Sequence, residues 1–180
     1  MGKRSNYERM DRDYYPTPDS AMSVLLPHLP KRYTFVEPCA GDGRMARYFE
    51  WRGGECLAQY DIEPRGDGIE KLDALHITKE HVSGADFIIT NPPWDRTKAS
   101  GYLLHELIVR FSKIAPTWLL FDADWMHTKQ SGLYMRDLCL KVVSVGRVKW
   151  IEDSNSTGKD NCAWYLFYHN KVGPTVFVGR

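Results

Sequence analysis

A single α/β domain is what this sequence predicts: a doubly wound, mostly parallel sheet of about seven strands, with an antiparallel hairpin at one edge and helices on both faces. Three observations predict it. Short runs of branched and aromatic residues alternate with stretches of helical periodicity, the pattern of a parallel sheet covered by crossover helices. A glycine-containing turn, Glu37-Pro38-Cys39-Ala40-Gly41-Asp42-Gly43, sits between a strand and a helix and implies one right-handed crossover unit. Beyond residue 141, two strand-like runs follow one another across a polar loop with no helix between them. The length of 180 residues and the hydrophobic share of 43% fit one domain, placed at 15–180 behind a polar, flexible arm at 1–14.

The elements follow in order. Thr17-Pro18 reads as an N-cap followed by proline at the first helical position, opening a helix to about residue 26 that Pro27 and Pro30 close. Tyr33-Thr34-Phe35-Val36 is the first strand. Residues 44–51 form the helix after the glycine turn, and Gly53-Gly54 stops it. Cys56-Leu57-Ala58-Gln59-Tyr60 is the second strand, with Asp61 at its carboxyl end, and a more irregular stretch then holds Asp73-Ala74-Leu75. Asp86-Phe87-Ile88-Ile89-Thr90 is a buried strand that runs directly into Asn91-Pro92-Pro93-Trp94. Leu103, Leu104, Leu107, Ile108 and Phe111 give residues 99–114 helical spacing, and Trp118-Leu119-Leu120-Phe121 is a fourth strong strand. Residues 129–140 read as another helix, and residues 142–150 and 162–168 as the antiparallel pair.

Lys and Arg number 24 against 23 Asp and Glu, so the net charge of +1 provides no whole-molecule field toward a polyanion. Contact with nucleic acid therefore has to be local. The four cysteines are widely spaced, form no CxxC pair and predict reduced, mostly buried thiols, which suits a cytoplasm. No apolar run reaches the roughly 18 residues of a membrane span, and the N-terminus lacks the apolar stretch of a signal peptide, so a soluble, non-exported protein is expected. The histidines are scattered, so no metal is expected.

The polar motifs all lie at carboxyl ends of predicted strands, where open parallel sheets bind ligands. Gly41 and Gly43 let the backbone approach a cofactor and open a helix. Asp61, about 20 residues downstream, stands where an acidic group takes ribose hydroxyls. Either feature also occurs in ordinary turns. Asn91-Pro92-Pro93-Trp94 is sharper. Two prolines fix the backbone, remove two N–H donors and hold carbonyls outward as acceptors. The Asn91 amide oxygen and the Pro92 carbonyl suit the two hydrogens of an NH2 group, leaving its lone pair aimed at an electrophile, while the face of Trp94 suits stacking on the ring that bears the amine. Positioning then carries the reaction, without a nucleophilic residue or a metal.

On these residues the sequence resembles the S-adenosylmethionine-dependent amino-group methyltransferases, of the Rossmann-like class I. Glu37 to Gly43 is similar to their cofactor loop, and Asn91-Pro92-Pro93-Trp94 to their catalytic (Asp/Asn/Ser)-Pro-Pro-(Tyr/Phe/Trp) tetrapeptide. Tyr15-Pro16-Thr17-Pro18 resembles the Thr-Pro segment that in adenine-specific DNA methyltransferases contacts the methionine end of the cofactor. The order of the three is the gamma arrangement, found also in short phage-encoded members. The resemblance implies adenine N6 methylation of DNA, with S-adenosylmethionine as cofactor and a bacterial or phage-infected cytoplasm as location. It implies Asn91, Pro92, Pro93 and Trp94 as catalytic. It implies a cofactor site of Tyr15, Thr17 and Pro18; Glu37, Pro38, Ala40, Gly41 and Gly43 of the loop; Asp61 for the ribose; Ile62 packed on the adenine; and Asp73 for the adenine amine, with Ala74 or Leu75 beside it. Asn91 borders the cofactor as well. The chain leaves little room for an added recognition domain, which implies low sequence specificity.

Arg96 and Lys98 just past the tetrapeptide, and Arg147, Lys149 and Lys159 around the polar loop, are the candidate phosphate contacts. If the target lies in duplex DNA, its base must be flipped out, which is easier on single strands. The same acceptor corner serves RNA adenine or a protein glutamine amide, and a non-catalytic cofactor- or nucleic-acid-binding module is the alternative of another class. Asp122-Ala123-Asp124-Trp125, at the end of a strand beside the presumed site, reads equally as a substrate contact or as structure. The aromatic stretch 164–168 reads as core.

Overall fold

Runs of alternating large apolar residues set the sheet. In the computed structural model, which describes residues 14–94, 103–150, 158 and 160–180, the strands are β1 (Tyr33–Glu37), β2 (Gly54–Asp61), β3 (Glu70–Lys71), β4 (Phe87–Thr90), β5 (Thr117–Asp122), β6 (Cys139–Arg147), β7 (Asn161–Phe167) and β8 (Val176–Val178). The helices are α1 (Asp19–Met22), α2 (Arg44–Glu50), α3 (Leu103–Ile114) and α4 (Gly132–Asp137). One eight-stranded sheet has the order β3-β2-β1-β4-β5-β7-β6-β8. Strands β3, β2, β1, β4 and β5 are mutually parallel, β7 runs antiparallel to both β5 and β6, and β8 is parallel to β6. The predicted fold class holds, and so does the terminal hairpin.

Strand β5 shows why the sheet carries helices on both faces. All six of its residues are buried, and they alternate. Trp118 and Leu120 join a cluster with Met22 and Leu25 after α1 begins, Met45 and Phe49 of α2, and Trp164. Leu119 and Phe121 join the opposite cluster with Leu107, Ile108 and Phe111 of α3 and with Tyr165 and Phe167. The chain reverses its direction of winding between β1 and its other neighbour β4, which opens a crevice at their carboxyl ends. Trp164 ties the layers together: fully buried, it donates its indole N–H to the carbonyl of Ala21 at 2.9 Å across 143 residues of chain. Trp164→Phe keeps most of the packing but leaves that carbonyl unpaired, so an unfolding free energy lower by about 1–3 kcal/mol is expected, read from the denaturant midpoint.

Three details depart from the sequence reading. The sheet has eight strands instead of seven, because a short edge strand, β8, pairs outside the hairpin; its Val176 and Phe177 are exposed and carry no burial pattern. Pro18, with φ −72° and ψ 148°, is itself the N-cap, so the first helix starts at Asp19 and is a single turn. Thr17 therefore sits outside it. The helix expected at 129–140 is cut to α4, because Cys139 is already paired with Phe167 and fully buried. Of the arm at 1–14, only Tyr14 is among the described residues. No helix among the described residues is long and apolar enough to cross a membrane. All four cysteines are free thiols, Cys139 and Cys162 buried, Cys39 and Cys56 half-buried.

Candidate active site

The crevice holds a cleft of about 360 Å³, within the ordinary range for small-molecule sites. The loop after β1 forms its floor. Gly41 has φ +57°, in the left-handed region, and a Cβ there would lie 2.7 Å from the Tyr14 ring, so only glycine lets the two segments close on each other. The Gly41 N–H donates to Asp61 Oδ2 at 2.7 Å and the Glu63 N–H to Asp61 Oδ1 at 2.8 Å. One carboxylate at the end of β2 thus pins the loop after β1 to the loop after β2, through charge-assisted bonds. The Arg65 N–H adds a bond to the Gly41 carbonyl at 2.8 Å, and its guanidinium lies 4.1 Å over the Tyr14 ring.

Glu37, the last residue of β1, is 2% exposed, lines the cleft, and has one carboxyl oxygen without a hydrogen-bond partner. Burial holds this carboxyl well above the ordinary glutamate range; Asp42 and Asp61 push the same way, against the Ala46 N–H and Arg47. The folded state therefore keeps a proton that the unfolded chain loses above about pH 4.3, and stability falls as pH rises from there toward the folded value. The expected result is that Glu37→Gln flattens this decline, so that thermal melts from acid to neutral pH show the variant gaining on the unsubstituted protein as pH rises.

On the far wall, Asp73 accepts the Leu75 N–H through Oδ1 at 2.9 Å and caps the turn at Ala74–His76; Asp73, Ala74 and Leu75 all face the cleft. Ile62 is 46% exposed, an apolar side chain presented to the cleft by the loop after β2. Tyr15, Thr17, Pro38 and Ala40 complete the lining among the residues singled out from sequence. Pro18 and Gly43 stand outside it. Gly43, at φ +77°, is the N-cap of α2, where a Cβ would meet Gln59 Oε1 at 2.8 Å.

At the end of β4, Asn91 and Pro93 line the cleft, Pro92 is buried, and Trp94 lies behind them. The Asn91 Nδ2 donates to Thr17 Oγ1 at 3.2 Å, and its Oδ1 accepts the Trp94 indole N–H at 2.9 Å. That N–H also reaches the Leu120 carbonyl at 3.1 Å, while the Trp94 ring meets Trp150 edge-on, 5.2 Å between centroids at 86°. The sequence reading considered only the face of Trp94; in the structure Trp94 is not part of the cleft lining, and it is its indole edge that is engaged, by Asn91 and Leu120.

Other candidates resolve into structure. Asp122 is buried and caps the turn at Ala123–His127 by accepting the Asp124 N–H at 3.0 Å, and Trp125 is core. His105 accepts the Trp125 indole N–H at 3.0 Å and stacks on Tyr134, and burial pushes it below the ordinary histidine range. Trp164, Tyr165 and Phe167 are fully buried. Of the candidate phosphate contacts, Arg147 and Lys149 are exposed at and just beyond the end of β6, whereas Arg96, Lys98 and Lys159 lie outside the described residues. Sequence reasoning missed Tyr14 and Arg65, which cover the glycine loop, and Leu103 and Leu107, which line the cleft from α3. The helical spacing of the two leucines marks them as core, and only the docking of α3 brings them to the cleft.

Neither a family model nor a curated protein sequence matches the chain. Solved structures do. A provisionally assigned RNA methyltransferase of Pyrococcus horikoshii superposes with a TM-score of 0.62 at 14% identity, over 93% of this chain and 93% of that one. A provisionally assigned class I S-adenosylmethionine-dependent methyltransferase of Listeria monocytogenes gives 0.59 at 10% identity, over 97% of this chain and 68% of that one. The M protein of the type I restriction enzyme EcoKI gives 0.55 at 12% identity over 88% of this chain, which spans 44% of that protein. The chain superposes on these structures over most of its length, and its mostly parallel sheet with antiparallel β7 is the Rossmann-like fold of the class I methyltransferases.

Proposed function

We propose that this chain transfers methyl from S-adenosylmethionine to the exocyclic amine of adenine in DNA, with low sequence specificity. The observation that carries the reading is the Asn91-Pro92-Pro93-Trp94 corner at the carboxyl end of β4, with Asn91 and Pro93 on the wall of the cleft. The cleft fits the cofactor chemically. Its unpartnered, buried Glu37 oxygen suits an ammonium group, Asp61 a ribose, and Asp73 with Ile62 an adenine ring. Held there, S-adenosylmethionine would supply a methyl group to an amine nitrogen: the methyl carbon–sulfur bond would break, the sulfonium would leave as a neutral thioether, and the methylated amine would lose one proton to solvent.

The protein's part is orientation. Asn91 Oδ1 keeps a second lone pair beside the one that takes the Trp94 N–H, an acceptor for one hydrogen of an NH2 group, and this reading assigns the other hydrogen to the Pro92 carbonyl. Pairing both hydrogens leaves the nitrogen lone pair directed away from the corner, toward the cleft. Such positioning supplies a large share of a displacement barrier without covalent participation. Arg147 and Lys149 take phosphates, and a target base in duplex DNA is flipped to reach the corner.

The test is transfer of labelled methyl to plasmid DNA, single-stranded DNA, RNA and bulk protein, followed by nucleoside analysis. Label in N6-methyladenine of DNA is the expected result. Label only in RNA adenine or protein glutamine moves the substrate and keeps the corner's chemistry. Cofactor binding without transfer to any acceptor overturns the enzymatic reading in favour of a binding module.

A further inference from the structure

The Asn91 amide is gripped at both ends. Its Nδ2 donates to the Thr17 hydroxyl oxygen at 3.2 Å, and its Oδ1 accepts the Trp94 indole N–H at 2.9 Å. An indole N–H donates and never accepts, so the amide atom it meets is the oxygen, and the NH2 end is the one that faces Thr17. Rotating the amide by 180° would set N–H against N–H at Trp94 and present a donor where an incoming amine needs an acceptor.

Both anchors are themselves held. Thr17 is 6% exposed. The Trp94 N–H also reaches the carbonyl of fully buried Leu120 in β5 at 3.1 Å, and the Trp94 ring is braced by Trp150. The Thr17–Asn91 bond spans 74 residues and joins the segment that walls the cleft at Tyr15 to the corner after β4.

Resting on the reading of this corner as the amine acceptor, we propose that Trp94 and Thr17 are positioning residues that lock the Asn91 amide in one of its two flip states before the amine arrives, leaving the second lone pair of its oxygen as the acceptor. Trp94 then works through the N–H on its edge, and an aromatic residue without that donor does not replace it. Thr17 joins the cofactor wall and the amine acceptor into one hydrogen-bonded unit.

Three variants of the full chain test this. Trp94→Phe keeps an aromatic face and loses the N–H. Thr17→Val keeps the shape and loses the hydroxyl, and Thr17→Ser keeps the hydroxyl. In the adenine methylation assay kcat is expected to fall about tenfold in Trp94→Phe and in Thr17→Val, and to recover in Thr17→Ser. In Trp94→Phe, which lies outside the cleft lining, KM for S-adenosylmethionine and for DNA stays within about twofold. Because both anchors hold one amide, the double variant loses less than the product of the single losses. A readout that needs no activity is the Asn91 side-chain NH2 pair in the 15N–1H spectrum of the cofactor-free protein, assigned by its loss in Asn91→Ala. It is expected to shift in Trp94→Phe and in Thr17→Val. Unshifted resonances, an unchanged kcat in Trp94→Phe, or a loss confined to KM overturn the proposal. Failure of the unsubstituted protein to methylate any acceptor overturns the reading of the corner, and with it the catalytic part of the role given to the two anchors.

Discussion

Replacing Asn91 by alanine is expected to lower kcat for methyl transfer about 100- to 1,000-fold, the loss seen when one preorganised hydrogen-bonding group is removed from an active site. The amide oxygen is one of two acceptors at the corner, and no other side chain singled out there takes its place. The loss falls on kcat, because the acceptor's value lies in aiming the amine nitrogen during transfer. The fold survives the change. Asn91 is half-buried, the Trp94 N–H keeps its bond to the Leu120 carbonyl, and the neighbouring Pro92 and Pro93 still fix the backbone. Single-turnover transfer measured beside a thermal melt checks both halves: a melt close to that of the unsubstituted protein with kcat collapsed supports the assignment. An Asn91→Ala protein that methylates at the original rate removes Asn91 from the chemistry.

Asp61→Ala is expected to weaken binding of S-adenosylmethionine about 100-fold. The side chain does two jobs. Its oxygens accept the Gly41 and Glu63 N–H groups at 2.7 and 2.8 Å, which fixes the glycine loop against the end of β2, and its carboxylate borders the cleft where a ribose would sit. Hydrogen bonds to a charged group are worth about 1.5–3 kcal/mol each, so losing even part of this pair and the ligand contact reaches the roughly 2.8 kcal/mol that a 100-fold change in Kd requires. Asp61→Asn recovers only part of it, because the amide that accepts from one N–H turns its own NH2 toward the other. Calorimetric titration reads the result. Unchanged affinity in Asp61→Ala would place the cofactor elsewhere.

Much of this site is legible in the chain because it depends on local chemistry. Gly41 and Asn91-Pro92-Pro93-Trp94 declare themselves by residue type: glycine where the backbone turns left-handed, consecutive prolines where donors are removed. Asp61 declares itself by standing at the carboxyl end of a strand, whereas Asp73 is reached only through the resemblance to the methyltransferase family. The parallel strands are equally plain, since residues buried on both faces, as in β5, must be apolar throughout. Elements whose existence depends on a neighbour are not legible. Two-residue β3 and half-exposed β8 are strands only because β2 and β6 offer them hydrogen-bond partners. The end of the helix at 129–140 gives way to β6 because pairing with β7 and burial of Cys139 outweigh its helical propensity.

The sequence by itself therefore determined the fold class and the order of the motifs, because strand burial, glycine turns and prolines act within a few residues of chain, while most of the side chains around the cleft followed from the family resemblance those motifs carry. Only the tertiary structure decided that Tyr14 lies over Gly41, that Glu37 is left buried with an unpaired oxygen, and that Thr17 and Trp94 hold the Asn91 amide from opposite ends. Those contacts join residues as far as 74 positions apart, and no local periodicity encodes which distant donor will meet which acceptor once the layers have packed.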